Sequence, residues 1–207
     1  ALLSALFTFY QQNLKKRGLI MNQTKTAFHR RLVGYIEIGL FAALIVLAIT
    51  YLKIQMPGKT MVHVGNALVV LSVLLLGFKR GSIASFLGLF IFDVFNGFAA
   101  SVAFTLLEAG LVLVTVNAVY TYVFKKRDTR FNLVAVSIVA GLVKIVSRPV
   151  SIVAQQLVLG SSWNAAMAKV VEKMPATFFT AIVTAILVGI LYYPMKHAIE
   201  RFHPIGE

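Results

Sequence analysis

Six long apolar stretches, separated by short polar segments, constrain this chain more than any other feature. They cover residues 32–52, 64–78, 82–98, 101–124, 131–159 and 174–195. A helix needs about 20 apolar residues to cross the roughly 30 Å hydrocarbon core of a bilayer, and most of the stretches are near that length, although the second is short. The sequence therefore predicts an all-α membrane protein with six transmembrane helices.

Composition agrees with a membrane location. Of 207 residues, 59% are hydrophobic and 13% are charged, whereas soluble domains average about 25% charged residues. The mean hydropathy is +0.85, and a soluble domain of this size could not bury so much apolar surface. The chain has no cysteine, which excludes disulfides and thiolate metal sites.

The distribution of positive charge predicts the topology. A net charge of +13 would suggest a nucleic-acid partner in a soluble protein. Here Lys and Arg number six before the first stretch, two at 79–80, four at 125–130 and two at the C-terminal end, whereas the alternate loops hold two, none and two. Because cytoplasmic loops of membrane proteins are enriched in Lys and Arg, we expect both termini in the cytoplasm.

Three regions follow from this layout: a leader at 1–27, a six-helix membrane domain at 28–200 and a cytoplasmic tail at 201–207. The leader begins with a short apolar run that is followed, rather than preceded, by Lys15, Lys16 and Arg17, which is the wrong order for a signal peptide. Two interpretations stay open. Either the true start is Met21, or the leader forms an amphipathic helix at the membrane interface.

Ionisable side chains inside the apolar stretches are the most informative residues, because a charge in hydrocarbon costs several kcal/mol unless it is paired or hydrated. With a rise of about 1.5 Å per residue and cytoplasmic termini, four of them fall in the outer half of the membrane: Asp93, Glu108, Lys144 and Arg148. Groups that converge at one depth need water or a ligand among them. The alternative is a structural ion pair of Glu108 with Lys144 or Arg148.

The fifth stretch carries a polar stripe. Lys144, Arg148, Ser151 and Gln155 follow i, i+4, i+7, i+11 spacing, which places them on one face of a helix. Together with Glu108 on the fourth stretch, this stripe predicts a hydrated pocket that opens outward.

Three more side chains lie near the predicted mouth of this pocket. His63 and Asn66 begin the second stretch about one helical turn apart, and Trp163 lies in the outer loop before the sixth. A solvated histidine and an interfacial tryptophan anchor are the ordinary interpretations. In the alternative interpretation these residues contact a ligand, and Trp163 stacks on an aromatic ring.

The sequence offers no catalytic or metal-binding motif. It contains no His-Glu-x-x-His, no Gly-x-Ser-x-Gly and no paired Asp motif of an intramembrane protease. We therefore expect neither an enzyme nor a metal site. The enzymatic alternative is a lipid-modifying enzyme with Glu108 or Asp93 as general base, which no nucleophile-plus-base spacing supports.

A series of short motifs runs from the end of the first stretch through the third: Met56-Pro57-Gly58, His63-Val64-Gly65-Asn66-Ala67, Leu74-Leu75-Leu76-Gly77, Lys79-Arg80-Gly81, Gly88 and Asp93. In these motifs the chain resembles the substrate-binding S components of energy-coupling factor (ECF) vitamin transporters. The subgroup that it resembles most is the one assigned to hydroxymethylpyrimidine or pyridoxine. The likeness extends over about residues 28–200 and does not include the leader.

The resemblance implies a subunit of an importer in the bacterial cell membrane. Such a subunit captures a vitamin outside, while a transmembrane coupling subunit and two cytoplasmic ATPases drive its release inside. ATP is then hydrolysed by the partners, and no cofactor is expected in this chain. The family's Ala-x-x-x-Ala pattern against the coupling subunit corresponds here to Gly39 and Ala43.

The resemblance also implies a pocket formed by the outer ends of the last three helices and by the loop after the first. The expected substrate-binding residues are His63, Asn66, Glu108, Lys144, Arg148, Gln155 and Trp163. Asp93 departs from the family's pocket and is expected to serve either structure or the pocket. Two alternatives remain: an acidic vitamin such as pantothenate, attracted by Lys144 and Arg148, and a non-transporting assembly subunit.

Overall fold

The computed structural model describes residues 28, 31–56 and 60–202, and of Met56, Thr60 and Phe202 only the backbone. The leader at 1–27 and residues 203–207 of the expected tail lie outside the described residues. In chain order the elements are helix α1 (Arg31–Tyr51), strands β1 (Lys53–Met56) and β2 (Thr60–His63), and helices α2 (Gly65–Phe95), α3 (Val102–Ala118), α4 (Arg130–Val158) and α5 (Trp163–Phe202).

Short irregular turns flank α3. A single 3₁₀ turn at Ala99–Ser101 precedes it, and a π-helical turn at Val119–Val123 continues it. Five helical segments of the described chain are long and apolar enough to cross a membrane, with α3 counted together with these turns. A mostly helical fold with membrane-spanning helices is therefore confirmed, whereas the prediction that the chain is all-helical is not, because it also contains two short strands.

The predicted second and third stretches form the two arms of α2. Gly77 has φ 78° and interrupts the helix, a conformation that glycine adopts without steric cost. Ser72 Oγ lies 2.8 Å from Ser85 Oγ, although 13 residues of straight helix would separate them by about 20 Å. The chain therefore reverses at Gly77, so that α2 consists of two arms, and the first arm, residues 65–76, is only about 18 Å long.

Close packing of the two arms depends on a small residue. A Cβ added at Gly81 would lie 2.4 Å from the carbonyl oxygen of Ser72, far inside van der Waals contact. Ser72 Oγ also lies 3.0 Å from the carbonyl oxygen of Gly81, so hydrogen bonding and close backbone approach occur at the same point.

A β-hairpin, which the sequence analysis did not predict, connects α1 to α2. Its strands are antiparallel, with Lys53 opposite His63 and Ile54 opposite Val62. The sequence had suggested that His63 begins a helix. Instead His63 ends strand β2, and the helix starts at Gly65. Of this facing pair, Val62 is buried and Ile54 is exposed, so β2 lies deeper in the protein than β1.

The core contains aliphatic and aromatic side chains from several helices. Its fully buried members include Ile45, Leu71, Leu113, Leu133 and Tyr192. Large apolar side chains such as Leu107, Val146 and Ile182 are more than half exposed, as expected where a helix faces lipid hydrocarbon instead of water. The most extensive helix pairing is that of α4 with α5.

Candidate functional site

A cavity of about 250 Å³ lies among β2, α2, α3, α4 and α5. Its size is slightly below the range of roughly 300–1,000 Å³ that is common for small-molecule sites. Seven of the side chains predicted from the sequence line it: His63, Asn66, Asp93, Glu108, Lys144, Arg148 and Gln155.

An ion cluster joins α3 to α4 at the cavity. Arg148 Nη1 donates a hydrogen bond to Glu108 Oε2 at 2.9 Å, and Lys144 Nζ lies 3.5 Å from Glu108 Oε1. Lys144 and Arg148 are one turn apart on α4, so both can face one carboxylate. The Glu108 side chain is 4% exposed, and a carboxylate so buried is stable only with such partners.

A second contact extends the cluster to α2. Lys144 Nζ donates to Asn66 Oδ1 at 2.7 Å. Asn66 is in the first turn of α2, immediately after the hairpin. Lys144 therefore connects three helices at the cavity wall and is held by one neutral and one charged partner.

Asp93 lies on the second arm of α2 and is 7% exposed. Its Oδ2 atom is buried and has no hydrogen-bond partner among the described residues. Glu108 Oε1 is also buried and accepts no hydrogen bond from the described residues, although Lys144 Nζ lies 3.5 Å from it. A buried acceptor without a hydrogen bond costs about 1–3 kcal/mol, so both carboxylates can take a donor from a ligand.

His63 brings an imidazole to the cavity from β2. The ring is partly accessible, but its Nδ1 atom is buried and lacks a hydrogen-bond partner within the described chain. Burial, followed by the positive charges of Lys144 and Arg148, lowers the pKa of His63 from 6.5 to about 3. The imidazole is therefore neutral at physiological pH and can either donate or accept one hydrogen bond.

The sequence analysis missed a polar stripe on α5. Lys173, Thr177, Thr180 and Thr184 line the cavity, with the same i, i+4, i+7, i+11 spacing as the stripe on α4. The signal was present, but Lys173 had been assigned to a loop, whereas α5 begins at Trp163. Aromatic side chains complete the wall: Phe92, Phe98 and Phe104.

Three predicted residues lie elsewhere. Trp163 is the first residue of α5, is 59% exposed and is not part of the cavity wall that the described residues form. Its role as a lid stays a prediction. Gly39 and Ala43 are exposed on α1, and a Cβ added at Gly39 would have no atom within 4 Å.

The residues of the described chain include no group of three or more His, Cys, Asp or Glu side chains that could hold a metal ion. What the cavity offers instead is a mixture of charged, hydrogen-bonding and aromatic groups, which is typical of a small-molecule site.

Comparison with known proteins identifies a related fold. A chain described as the S component of a bacterial ECF transporter has a similar solved structure, with a TM-score of 0.64 and 19% sequence identity, over 81% of this chain and 97% of that one. At this identity the match shows a common fold. No curated protein matches the sequence.

The family comparison is more specific. The family model described as "ECF-type riboflavin transporter, S component" matches residues 33–197, which is most of the chain. It does not test the predicted likeness to the hydroxymethylpyrimidine or pyridoxine subgroup, which stays a prediction. The chain belongs to the family of ECF-type riboflavin transporter S components.

Proposed function

We propose that this chain captures a small heteroaromatic vitamin in the cavity and delivers it to an ATPase-driven import complex. One observation carries the proposal: buried Nδ1 of His63, Oδ2 of Asp93 and Oε1 of Glu108 all lack hydrogen-bond partners in the described structure and belong to residues that line one cavity. Unpaired atoms of this kind favour a ligand that supplies the complementary groups.

The lining suits a flat polar ring. Phe92 and Phe98 stack with their ring centroids 6.2 Å apart, and aromatic faces of this kind pack well against another ring. The polar atoms of Asn66, Glu108 and Gln155 can then pair with ring nitrogens and hydroxyl groups. Riboflavin is suggested by the name of the family, and hydroxymethylpyrimidine or pyridoxine by the motifs in the sequence.

An acidic vitamin such as pantothenate is the second candidate. The cavity contains three cationic side chains, Lys144, Arg148 and Lys173, against two carboxylates, Asp93 and Glu108. An additional negative charge on a ligand would balance this set. A catalytic role is less well supported, because Arg148 and Lys144 already engage Glu108.

In the membrane, we infer that the two arms of α2 and the other four helices form six segments with both termini in the cytoplasm. Lys125, Lys126 and Arg127 are exposed between α3 and α4, and the positive-inside tendency puts this end in the cytoplasm. The cavity then lies toward the outer side of a bacterial cell membrane. Its position supports capture of a nutrient from outside.

The expected partners are a transmembrane coupling subunit and two ATPases, which hydrolyse ATP so that this chain needs no cofactor of its own. Gly39 and Ala43 leave a smooth exposed face on α1, against which another helix can approach closely. This face supports an interface with the coupling subunit.

A ligand panel tests the proposal. Purified full-length protein in detergent is titrated with riboflavin, pyridoxine, hydroxymethylpyrimidine and pantothenate by isothermal titration calorimetry. We expect tight binding of one heteroaromatic vitamin at one molecule per chain. Tight binding of pantothenate alone would favour the second candidate, and the absence of binding by all four would overturn vitamin capture.

A further inference from the structure

A strongly basic segment joins α3 to α4, at the end of these helices that is remote from the cavity. Its six residues include four exposed cations, which we call the basic turn: Lys125, Lys126, Arg127 and Arg130. None of the four forms an ion pair within the described part of the chain. Asp128, the acid of this segment, is already paired with Lys196 of α5. The positive charge of the basic turn is therefore not neutralised by the protein.

Asp128 fixes the basic turn to its surroundings. Its carboxylate accepts hydrogen bonds from Tyr120 and Lys196, and its backbone carbonyl accepts one from the Tyr193 hydroxyl. The Arg130 guanidinium lies over the Tyr193 ring, 5.8 Å from its centroid. These contacts tie the segment to the end of α3 and to α5, so the cations are held on a built turn and not on a loose loop.

The backbone of the basic turn is strained at two lysines. Lys125 has φ 49° and Lys126 has φ 56°, in the left-handed region that is costly for any residue with a Cβ. Glycine would form the same turn without this cost. The other positive-φ positions of the described chain are glycines: Gly77, Gly97 and Gly160. Strain that is kept at two charged residues indicates a role for their side chains outside the turn itself.

Apolar side chains on both sides place the basic turn at the edge of the membrane. Tyr122 and Val123 precede it and Phe131 follows the first residue of α4, and all three are exposed. On helices that are long and apolar enough to cross a bilayer, such side chains face lipid, and aromatic residues are enriched at the membrane–water boundary. The cations of the basic turn therefore lie at the level of the lipid headgroups.

The charge is confined to one end of the helices. The turns at the opposite ends of α3 and α4, residues 96–101 and 159–162, contain no charged residue. Lys79, which follows the reversal of α2 at Gly77, is exposed beside the exposed Phe78 and repeats the combination of cation and aromatic ring. In the topology proposed above this end faces the cytoplasmic leaflet, whose surface is made negative by anionic lipids.

We propose that the basic turn binds the headgroups of anionic phospholipids and so seats this end of the protein on one leaflet. The lipid phosphate supplies the negative charge that the four cations lack within the chain. A zwitterionic headgroup has no net charge and gains less. Lipid is favoured over an acidic protein surface because the basic turn continues directly into lipid-facing side chains. This inference depends on the membrane location of the chain and not on which vitamin it binds.

The test compares phosphatidylglycerol with phosphatidylcholine of the same acyl chains. Native mass spectrometry of purified full-length protein in detergent gives the number of bound lipids and their dissociation constants. The main variant is Lys125→Gly/Lys126→Gly, which removes two charges and relieves the backbone strain. Lys53→Gln/Lys169→Gln is the matched control, because it removes two charges outside the basic turn.

We expect the glycine variant to weaken phosphatidylglycerol binding by roughly 25-fold, at about fivefold for each charge removed. Phosphatidylcholine binding should change by less than about twofold, as should phosphatidylglycerol binding by the control. Lys125→Arg/Lys126→Arg keeps both charges and should keep the affinity. An unchanged or raised melting temperature of the glycine variant shows that the turn is intact. Arg127→Gln removes one charge without altering the strained positions and should weaken binding by about fivefold.

Two results would overturn the inference. Equal affinity of the wild type for the two lipids, or equal losses in the glycine variant and the control, would show that the basic turn does not select anionic headgroups. Unchanged phosphatidylglycerol binding by the glycine variant, together with lost co-purification of the ATPases, would assign the basic turn to an acidic protein surface and reject the lipid.

Discussion

Glu108 on α3 accepts a hydrogen bond from Arg148 on α4 at 2.9 Å, in a position where the carboxylate is 4% exposed and the guanidinium 31%. The carboxylate also faces Lys144. One buried anion thus holds two cations at the cavity.

The first prediction concerns the removal of this anion. Glu108→Gln leaves Arg148 and Lys144 without a counter-ion and should lower the free energy of unfolding by about 3 kcal/mol, or the melting temperature by roughly 6–12 °C. The control is Glu172→Gln, because Glu172 pairs with Lys169 at 2.8 Å on the surface, where such a pair contributes about 0–1 kcal/mol. Equal shifts in a thermal melt would contradict a stabilising role for Glu108.

The second prediction is a pH dependence of stability. Since the pKa of His63 is lowered from 6.5 to about 3, the unfolded chain binds the proton more tightly than the folded chain. The contribution of His63 to the free energy of unfolding is fully present above pH 6.5. As pH falls from 6.5 toward 3, this contribution is lost, and the unfolding equilibrium constant rises by up to about tenfold per pH unit.

His63→Gln should therefore flatten the decline in melting temperature between pH 6.5 and pH 4. His197→Gln, at an exposed position on α5, should retain the wild-type slope. The measurement is a series of thermal melts of all three proteins across this range. Parallel curves for wild type and His63→Gln would be inconsistent with a buried neutral imidazole.

The third prediction concerns the reversal in α2. Gly81→Ala would put a Cβ 2.4 Å from the Ser72 carbonyl oxygen and should destabilise the protein by about 1–3 kcal/mol. Gly110→Ala on α3 is the matched control, because its Cβ would meet nothing closer than 3.6 Å. Thermal melts that show the same change for both variants would mean that the two arms are not packed as described.

The fourth prediction tests the exposed face of α1. Gly39→Leu and Ala43→Leu should prevent co-purification with the coupling subunit and leave vitamin affinity unchanged, because bulky side chains block close helix approach. Ala103→Leu, at an exposed position on α3, is the control and should co-purify normally. Normal assembly of all three variants would exclude this face as the interface.

The fifth prediction concerns Asp128 in the loop between α3 and α4. Its carboxylate accepts hydrogen bonds from Tyr120 and Lys196. Burial opposes ionisation, but the hydrogen bonds from Lys196 and Tyr120 outweigh it and hold the pKa of Asp128 below its usual value. The ionised Asp128 carboxylate therefore stabilises the folded protein at neutral pH, and this stabilisation is lost as pH falls through the lowered pKa.

Asp128→Asn should lower the free energy of unfolding by about 2 kcal/mol through weaker hydrogen bonds. Vitamin affinity should be unchanged, because Asp128 does not line the cavity that the described residues form. Thermal melts and vitamin titration of the same sample separate the two effects. A variant with normal stability and reduced affinity would reverse this assignment.

Much of the cavity could be predicted because hydrocarbon penalises isolated charge. Glu108, Lys144 and Arg148 were the ionisable residues of their apolar stretches, and helical rise alone placed them at a similar depth. The structure brings them into contact. Hydrophobic length likewise predicted the helical membrane fold.

Other features had no such signal. Lys169, Glu172 and Lys173 made the start of α5 look like a loop, so the polar stripe on α5 was not recognised. The chain reverses at Gly77, two residues before the basic segment that marked the turn in the sequence. The hairpin before α2 has strands of only four residues each, too short to reveal a β period.

Occupation of the cavity by a vitamin is tested most directly by a substitution that fills the cavity with a larger side chain. Ala109 lines it from α3, and Ala109→Phe should occupy the space of a ligand ring, whereas Ala103→Phe at an exposed position of the same helix should not. Calorimetric titration should give one vitamin per chain for wild type and Ala103→Phe, and none for a folded Ala109→Phe. Undiminished binding by Ala109→Phe would contradict the account.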